Sequence, residues 1–337
     1  MTKVTMMRRE IDEIPDAAAR LCKDDAQAEF AQVAARIIAR DPAVVLTIAR
    51  GSSDHAATCL KYATEILMGI PVASLGPSVA SIYGGALHLQ QGVTIAISQS
   101  GRSLDLVSAT EACAAGGAEA IVLTNNPDSP LGLSSRSTVD LRAGPEKAVA
   151  ATKSFVNSVL AGLWLLAHWR NDANLKDALR AMPERFEAAK SVEWNALSAD
   201  LARIDRLFVL GRGPGLGVAG EVALKAMELC KIQASGYSAA EVLHGPARVL
   251  TAGFPVLALG GHAEPGLSQA LEKLASQGAY LIAEPGIASP AEETPVARLL
   301  DRLVQLVPIY YALEAAARAR GSDPDRPEFL SKETVTM

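Results

Sequence analysis

Aromatic side chains are scarce in this chain, at 4% of 337 residues, so its cores have to be built from Ala, Val, Leu and Ile. Cysteine is as sparse. Cys22, Cys59, Cys113 and Cys230 lie far apart with no CxxC pair, which gives neither a disulfide framework nor zinc-ligand spacing and suits a reducing compartment. An excess of positive charge is also missing. The formal net charge is −5 with both signs interspersed, leaving no basic footprint for nucleic acid. No apolar run reaches transmembrane length, and "MTKVTMMRREIDEIP" carries charges where a signal peptide needs an apolar stretch. Together these absences predict a cytoplasmic protein with no membrane or nucleic-acid partner. What is present is ordinary: 49% hydrophobic and 20% charged residues exclude disorder, and the length is comfortable for two domains.

Apolar runs ending in glycine turns recur. "AVVLTIARGSS" (43–53) and "DRLFVLGRGPG" (205–215) each read as a strand, a turn and the start of a helix. Further strand candidates are "VTIAISQSG" and "AEAIVLTNN" in the first half, and "FPVLALGGH" and "AYLIAEPG" in the second. From Arg50 to Ser98 is 98 − 50 = 48 positions, and from Arg212 to Gly260 is 260 − 212 = 48. Equal spacing predicts an internal duplication of a β-α-β-α-β unit. Continuous apolar strands alternating with helices imply parallel sheets covered on both faces. "SFVNSVLAGLWLLAHWR" (154–170) closes the first copy as an apolar helix, and a polar helical stretch bridges the copies. "RLVQLVPIYYALEAAARARG" closes the second, interrupted or entered at Pro308, and the prolines after Gly321 predict an extended tail.

In an open parallel sheet, ligands bind beyond the carboxyl ends of the strands. Ser98, Gln99, Ser100 and Ser103 fall there, where hydroxyls and backbone N–H groups at a helix start make an anion site. Four such groups after one buried strand point to a phosphate, although any single serine reads as an N-cap. Gly215, Gly217 and Gly220 satisfy GxGxxG, but no acidic strand end follows at the required distance, and tight helix–strand packing explains them; a dinucleotide is rejected. Glu221, Lys225 and Glu228 share a helix face and by spacing alone read as a solvated, ion-paired surface. His244 sits before a Gly-Pro turn, and Glu146 with Lys147 reads as helix capping.

Taken in order, "ARGSSDHAA", "ISQSGRSLD", "AGPEKAVAATKSF", "GEVALKAMEL", "AEVLHGP" and "DPDRPEFLSKETVT" resemble the sugar isomerase (SIS) family, specifically the isomerase half of glucosamine-6-phosphate synthase. The resemblance implies an α/β protein of two tandem SIS domains, each a flavodoxin-like parallel sheet flanked by helices on both faces. A helical segment is expected at 1–26, outside the duplication; the layout the resemblance implies is a phosphate-binding domain at 27–180, linking helices and a second domain at 181–320, and a tail at 321–337 that enters the active site. It assigns Ser53, Ser98, Gln99, Ser100 and Ser103 to the sugar phosphate, with Gly51, Ser52, Glu146 and Ala150 also at the substrate. Glu228 matches the base that moves a proton between C1 and C2, with Lys225 beside it. His244 matches the histidine assisting ring opening, which a neighbouring subunit can supply. Lys332 matches a tail lysine that can form an imine. A homodimer with a shared active site is implied.

Three departures refine the expectation. The synthase carries a glutaminase domain, for which a chain beginning Met1-Thr2-Lys3 has no room, and Ala151 stands where the synthase has a serine. "AVAATKSF" is similar instead to stand-alone aminosugar-phosphate deaminases and isomerases, whereas "SKETVTM" departs from the synthase ending. The expected reaction converts glucosamine 6-phosphate to fructose 6-phosphate and ammonia, with neither metal nor redox cofactor. Alternatives are an isomerase or ammonia-dependent aminotransferase on a related hexose or hexosamine 6-phosphate, and a non-catalytic sugar-phosphate sensor. The lack of a basic or helix-turn-helix segment speaks against the sensor.

Overall fold

Thr5 opens the first helix by accepting a hydrogen bond from the Arg8 N–H, the expected behaviour of an N-cap threonine. The structure, a computed structural model, describes residues 4–261, 264, 266–287 and 294–332. Three helices come first: α1 (Met6–Asp12), α2 (Ile14–Leu21) and α3 (Asp24–Arg40). Alternation follows as β1 (Val44–Ile48), α4 (Ser52–Met68), β2 (Val72–Ser74), α5 (Ser78–Ser81), β3 (Gly92–Ser98), α6 (Leu104–Ala115), β4 (Glu119–Thr124), α7 (Pro130–Leu133) and β5 (Thr138–Asp140). Then come helices α8 (Lys153–Trp169), α9 (Ala173–Arg180), α10 (Met182–Ala189) and α11 (Asn195–Leu201). The second alternation is β6 (Arg206–Gly211), α12 (Gly215–Cys230), β7 (Gln233–Ser238), β8 (Pro255–Ala258), α13 (Leu267–Ser276), β9 (Tyr280–Ile282) and α14 (Pro295–Ala319).

The chain divides into two compact units. One holds Ile14–Glu146 and Lys153–Pro183; the other holds the residues up to Glu13, Lys147–Thr152 and Glu184–Lys332. The unit that begins at Ile14 carries a parallel sheet of order β2-β1-β3-β4-β5. All seven residues of β3 are buried, as the uninterrupted apolar run predicts for a central strand covered on both faces. Fifteen residues of α8 are buried, which explains why most of the helix is apolar.

The unit ending at Lys332 carries the parallel sheet β7-β6-β8-β9. Its registers repeat those of the other sheet. Val44 pairs with Gly92 and Phe208 with Val256, so 92 − 44 = 256 − 208 = 48. Val45 pairs with Val72 and Arg206 with Gln233, so 72 − 45 = 233 − 206 = 27. The equal spacing seen in the sequence is therefore an equal strand register, and each sheet places its first strand between its second and third.

One expectation is corrected and another holds. Pro308 neither starts nor interrupts α14, which runs 25 residues through it. A proline forfeits one bond to the preceding turn, but twenty buried residues along the same helix outweigh that loss. The glycines of "GRGPGLGVAGE" do serve packing: a Cβ on Gly236 of β7 would lie 2.8 Å from the Gly220 Cα in α12. No helix among the described residues is long and apolar enough to cross a membrane.

Candidate active site

In the unit that begins at Ile14, the turns after β1 and β3 lie side by side, because Ile48 pairs with Ala96 in a parallel register. Gly51, Ser52 and Ser53 open α4; Ser98, Gln99, Ser100 and Ser103 lead into α6. Both helices direct their positive N-terminal ends to one edge of the sheet. Ser98 is buried and its Oγ accepts a hydrogen bond from the Gly101 N–H at 3.1 Å, so it shapes the turn. Ser100 Oγ accepts from the Arg102 N–H. Ser103 is the N-cap of α6 but makes no side-chain capping bond, so the simple capping reading does not account for its hydroxyl.

Two residues that sequence reading missed hold these turns. Arg50 Nε donates to Asp105 Oδ2 at 2.5 Å, and the Asp105 carboxylate is fully buried. The pair ties the end of β1 to the first turn of α6. Burial holds the neighbouring Asp54 carboxyl above its ordinary range, with Arg50 opposing the shift. Gly101 has φ +66°, and a Cβ there would meet Ser129 Oγ at 1.9 Å. Ser129 in turn caps α7 by accepting from the Gly132 N–H. Glu146, also in this unit, accepts from the Ser154 N–H at 3.1 Å and from Ser154 Oγ at 2.6 Å, which is the capping role its sequence context predicts. Buried Lys153 donates to the Pro145 carbonyl at 2.7 Å.

In the unit ending at Lys332, α12 corrects the expectation of a solvated face. Glu221 and Lys225 are both fully buried, and Glu228 keeps 23% of its side-chain exposure. Lys225 Nζ lies 2.5 Å from Glu228 Oε2 and 3.6 Å from Glu221 Oε1, and Tyr310 of α14 donates to Glu221 Oε1 at 3.2 Å. Spacing placed the three on one face but could not reveal that α14 packs over it. Glu228 lines a pocket of about 750 Å³ together with Leu224, Met227 and tail residues 321–323 and 326–330. Lys332 follows that tail by two residues; 333–337 of the expected tail lie outside the described residues.

His244 does not join Glu228 within this unit. α12 runs from the carboxyl edge of the sheet back to the amino edge, where Glu228 sits, while exposed His244 follows the carboxyl end of β7. The six residues of β7 between those edges span roughly 20 Å. Ala150 is buried in the segment Lys147–Thr152. Among the described residues no cluster of three or more His, Cys, Asp or Glu could hold a metal.

The SIS domain model matches residues 39–168. A solved protein of Silicibacter pomeroyi DSS-3, provisionally named a phosphosugar isomerase, is 45% identical and superposes with a TM-score of 0.85 over 96% of this chain and 100% of its own. The chain belongs to the SIS domain family of sugar isomerases. The isomerizing glutamine–fructose-6-phosphate aminotransferase of Methanothermobacter thermautotrophicus is 32% identical over 302 residues, covering 85% of this chain and 50% of the relative. The chain thus spans about half the length of the curated relatives it matches. The glucosamine-6-phosphate deaminase of Thermotoga maritima shares the fold, at 20% identity and TM-score 0.77 over 98% of this chain and 100% of its own.

Proposed function

We propose that the chain is an aminosugar-phosphate deaminase/isomerase, built as two tandem SIS domains, that converts glucosamine 6-phosphate to fructose 6-phosphate and ammonia. The observation that carries the reading is the Lys225–Glu228 pair beside a pocket walled by the tail that leads to Lys332. Removing a proton alpha to a carbonyl needs a carboxylate within reach of the substrate, and Glu228 is held by Lys225 with part of its side chain open to the pocket. In this scheme the serine turn, with Ser53, grips the phosphate and supplies orientation from a non-reacting group. His244 assists ring opening, and its position at the far edge from Glu228 fits a histidine supplied by a second copy, in a homodimer with a shared site. Glu228 takes the C2 proton of the open aldosamine and an enolamine forms. Return of the proton to C1 leaves an imine at C2. Water adds to the imine and ammonia departs, directly or after exchange of the nitrogen onto Lys332, giving the C2 ketone.

The similarity of "AVAATKSF" to stand-alone deaminases supports the deaminating direction. The 32% identity to glutamine–fructose-6-phosphate aminotransferase supports a second reading, the same steps run in reverse with free ammonia. Wild type and Glu228→Gln are assayed for ammonia release from glucosamine 6-phosphate and for the reverse synthesis. The variant is expected to lose about 10²–10⁴-fold in kcat. Full activity in the variant overturns the base assignment, and the faster direction in wild type chooses between the readings.

A further inference from the structure

α1 enters the expectation only as a helix outside the duplication, yet it is wired to both the tail and the segment that carries Ala150. The Asp325 carboxylate accepts from the N–H groups of Met6 and Met7, each at 2.8 Å, one to each oxygen. One turn further along α1, Glu10 is 5% exposed. Its carboxylate accepts from the Lys147 N–H and from the Ala148 N–H, the latter at 3.3 Å. The next amide, Val149 N–H, donates to the Asp325 carbonyl at 3.4 Å. Three successive amides of one segment are thus taken up by α1 and the tail. Pro324 and Pro327, on either side of Asp325, are buried and fix the backbone there. The residues directly after Asp325, Arg326 to Leu330, wall the Glu228 pocket.

We propose that Asp325 is a positioning residue. It sets the register of the tail across the Glu228 pocket and toward Lys332, and it does so by joining that tail to α1 and, with Glu10, to Lys147–Val149. The inference rests on the reaction proposed above. A carboxylate suits the task because it offers two acceptor oxygens to two adjacent N–H groups; asparagine can satisfy only one and alanine neither. The serine turn that would grip the phosphate lies on other elements, so loss of Asp325 should disturb the chemical step more than substrate capture.

The test compares wild type, Asp325→Asn and Asp325→Ala in the full chain, below the melting temperature of each. Ammonia release from glucosamine 6-phosphate is measured with hydrogen exchange over residues 147–152 and 321–332. The expected result is a graded fall in kcat, about 10-fold for asparagine and about 100-fold for alanine, with KM changed less than threefold. Exchange should quicken in both segments and stay unchanged in β3. Wild-type kcat in Asp325→Ala, or unchanged exchange in both segments, overturns the positioning role. A KM rise that equals or exceeds the kcat loss also overturns it, because that is what general loosening produces. If Asp325→Ala does not fold, the asparagine variant decides by the same criteria. Wild type without turnover on any hexosamine phosphate refutes the reaction reading instead, and the exchange comparison then judges the clamp alone.

Discussion

Lys225 Nζ and Glu228 Oε2 are 2.5 Å apart, with the ammonium fully buried and the carboxylate partly open to a pocket. The buried Lys225 also lies 3.6 Å from Glu221, so one cation holds two carboxylates in α12. Removing the cation takes the Lys225 countercharge away from Glu221 in the core. Lys225→Met should lower stability by about 3 kcal/mol in urea denaturation, and adding Glu221→Gln should restore part of the loss. Equal stability of wild type and Lys225→Met would show that the lysine is not the partner holding these groups.

Arg50 and Asp105 predict an asymmetry. The Arg50 side chain is 49% exposed and can hydrate when its partner is lost, whereas the Asp105 carboxylate has no exposure at all. Arg50→Ala should therefore cost about 2–3 kcal/mol and Asp105→Ala about 1 kcal/mol, read from thermal or chemical melts. The reverse order would mean that the salt bridge is not what stabilises the carboxylate.

Gly101→Ala combines two penalties: a left-handed backbone at φ +66° and a methyl placed 1.9 Å from Ser129 Oγ. A loss of about 2–4 kcal/mol is expected, together with weakened binding of inorganic phosphate or hexose 6-phosphate by calorimetry. Wild-type phosphate affinity in a folded Gly101→Ala would remove the turn from the binding site.

His168 sets one pH dependence. Burial pushes its pKa below the ordinary histidine value, and Lys176 and Arg180 push the same way. The neutral ring lies 2.9 Å from Gln27 Oε1. As pH falls, the unfolded chain takes up this proton first. The contribution is therefore complete above about pH 6.5 and declines as pH drops from there through the folded-state pKa. His168→Gln should flatten the fall in urea midpoint between about pH 7 and 5. The comparison is of slopes, since the substitution also removes ring packing against Phe30 and Trp164.

The sequence made the central strands legible because β1, β3, β6 and β8 are continuous apolar runs, which only burial on both faces requires. The edge strands β2, β5 and β7 were not found. β2 and β5 have three residues each, and β7 reads "QASGYS", which carries neither alternation nor an apolar run. The serine turn was visible as a candidate because its composition is unusual at a strand end. The burial of Glu221 and Lys225 was hidden, since it depends on α14, whose Tyr310 lies 89 residues beyond Glu221. Asp325 was hidden for the same reason. Its partners, Met6 and Met7, lie more than three hundred positions away and are backbone groups that no motif can spell.

The contact between Gly101 and Ser129 constrains how this turn can change over time. A side chain at 101 requires Ser129 to give up its hydroxyl, and that hydroxyl caps α7. Neither position can drift alone without crowding the turn or uncapping the helix. Relatives that abandon the glycine are expected to carry a smaller residue at the serine position and another way to start α7. The two sites should behave as a single heritable unit, inherited or replaced together.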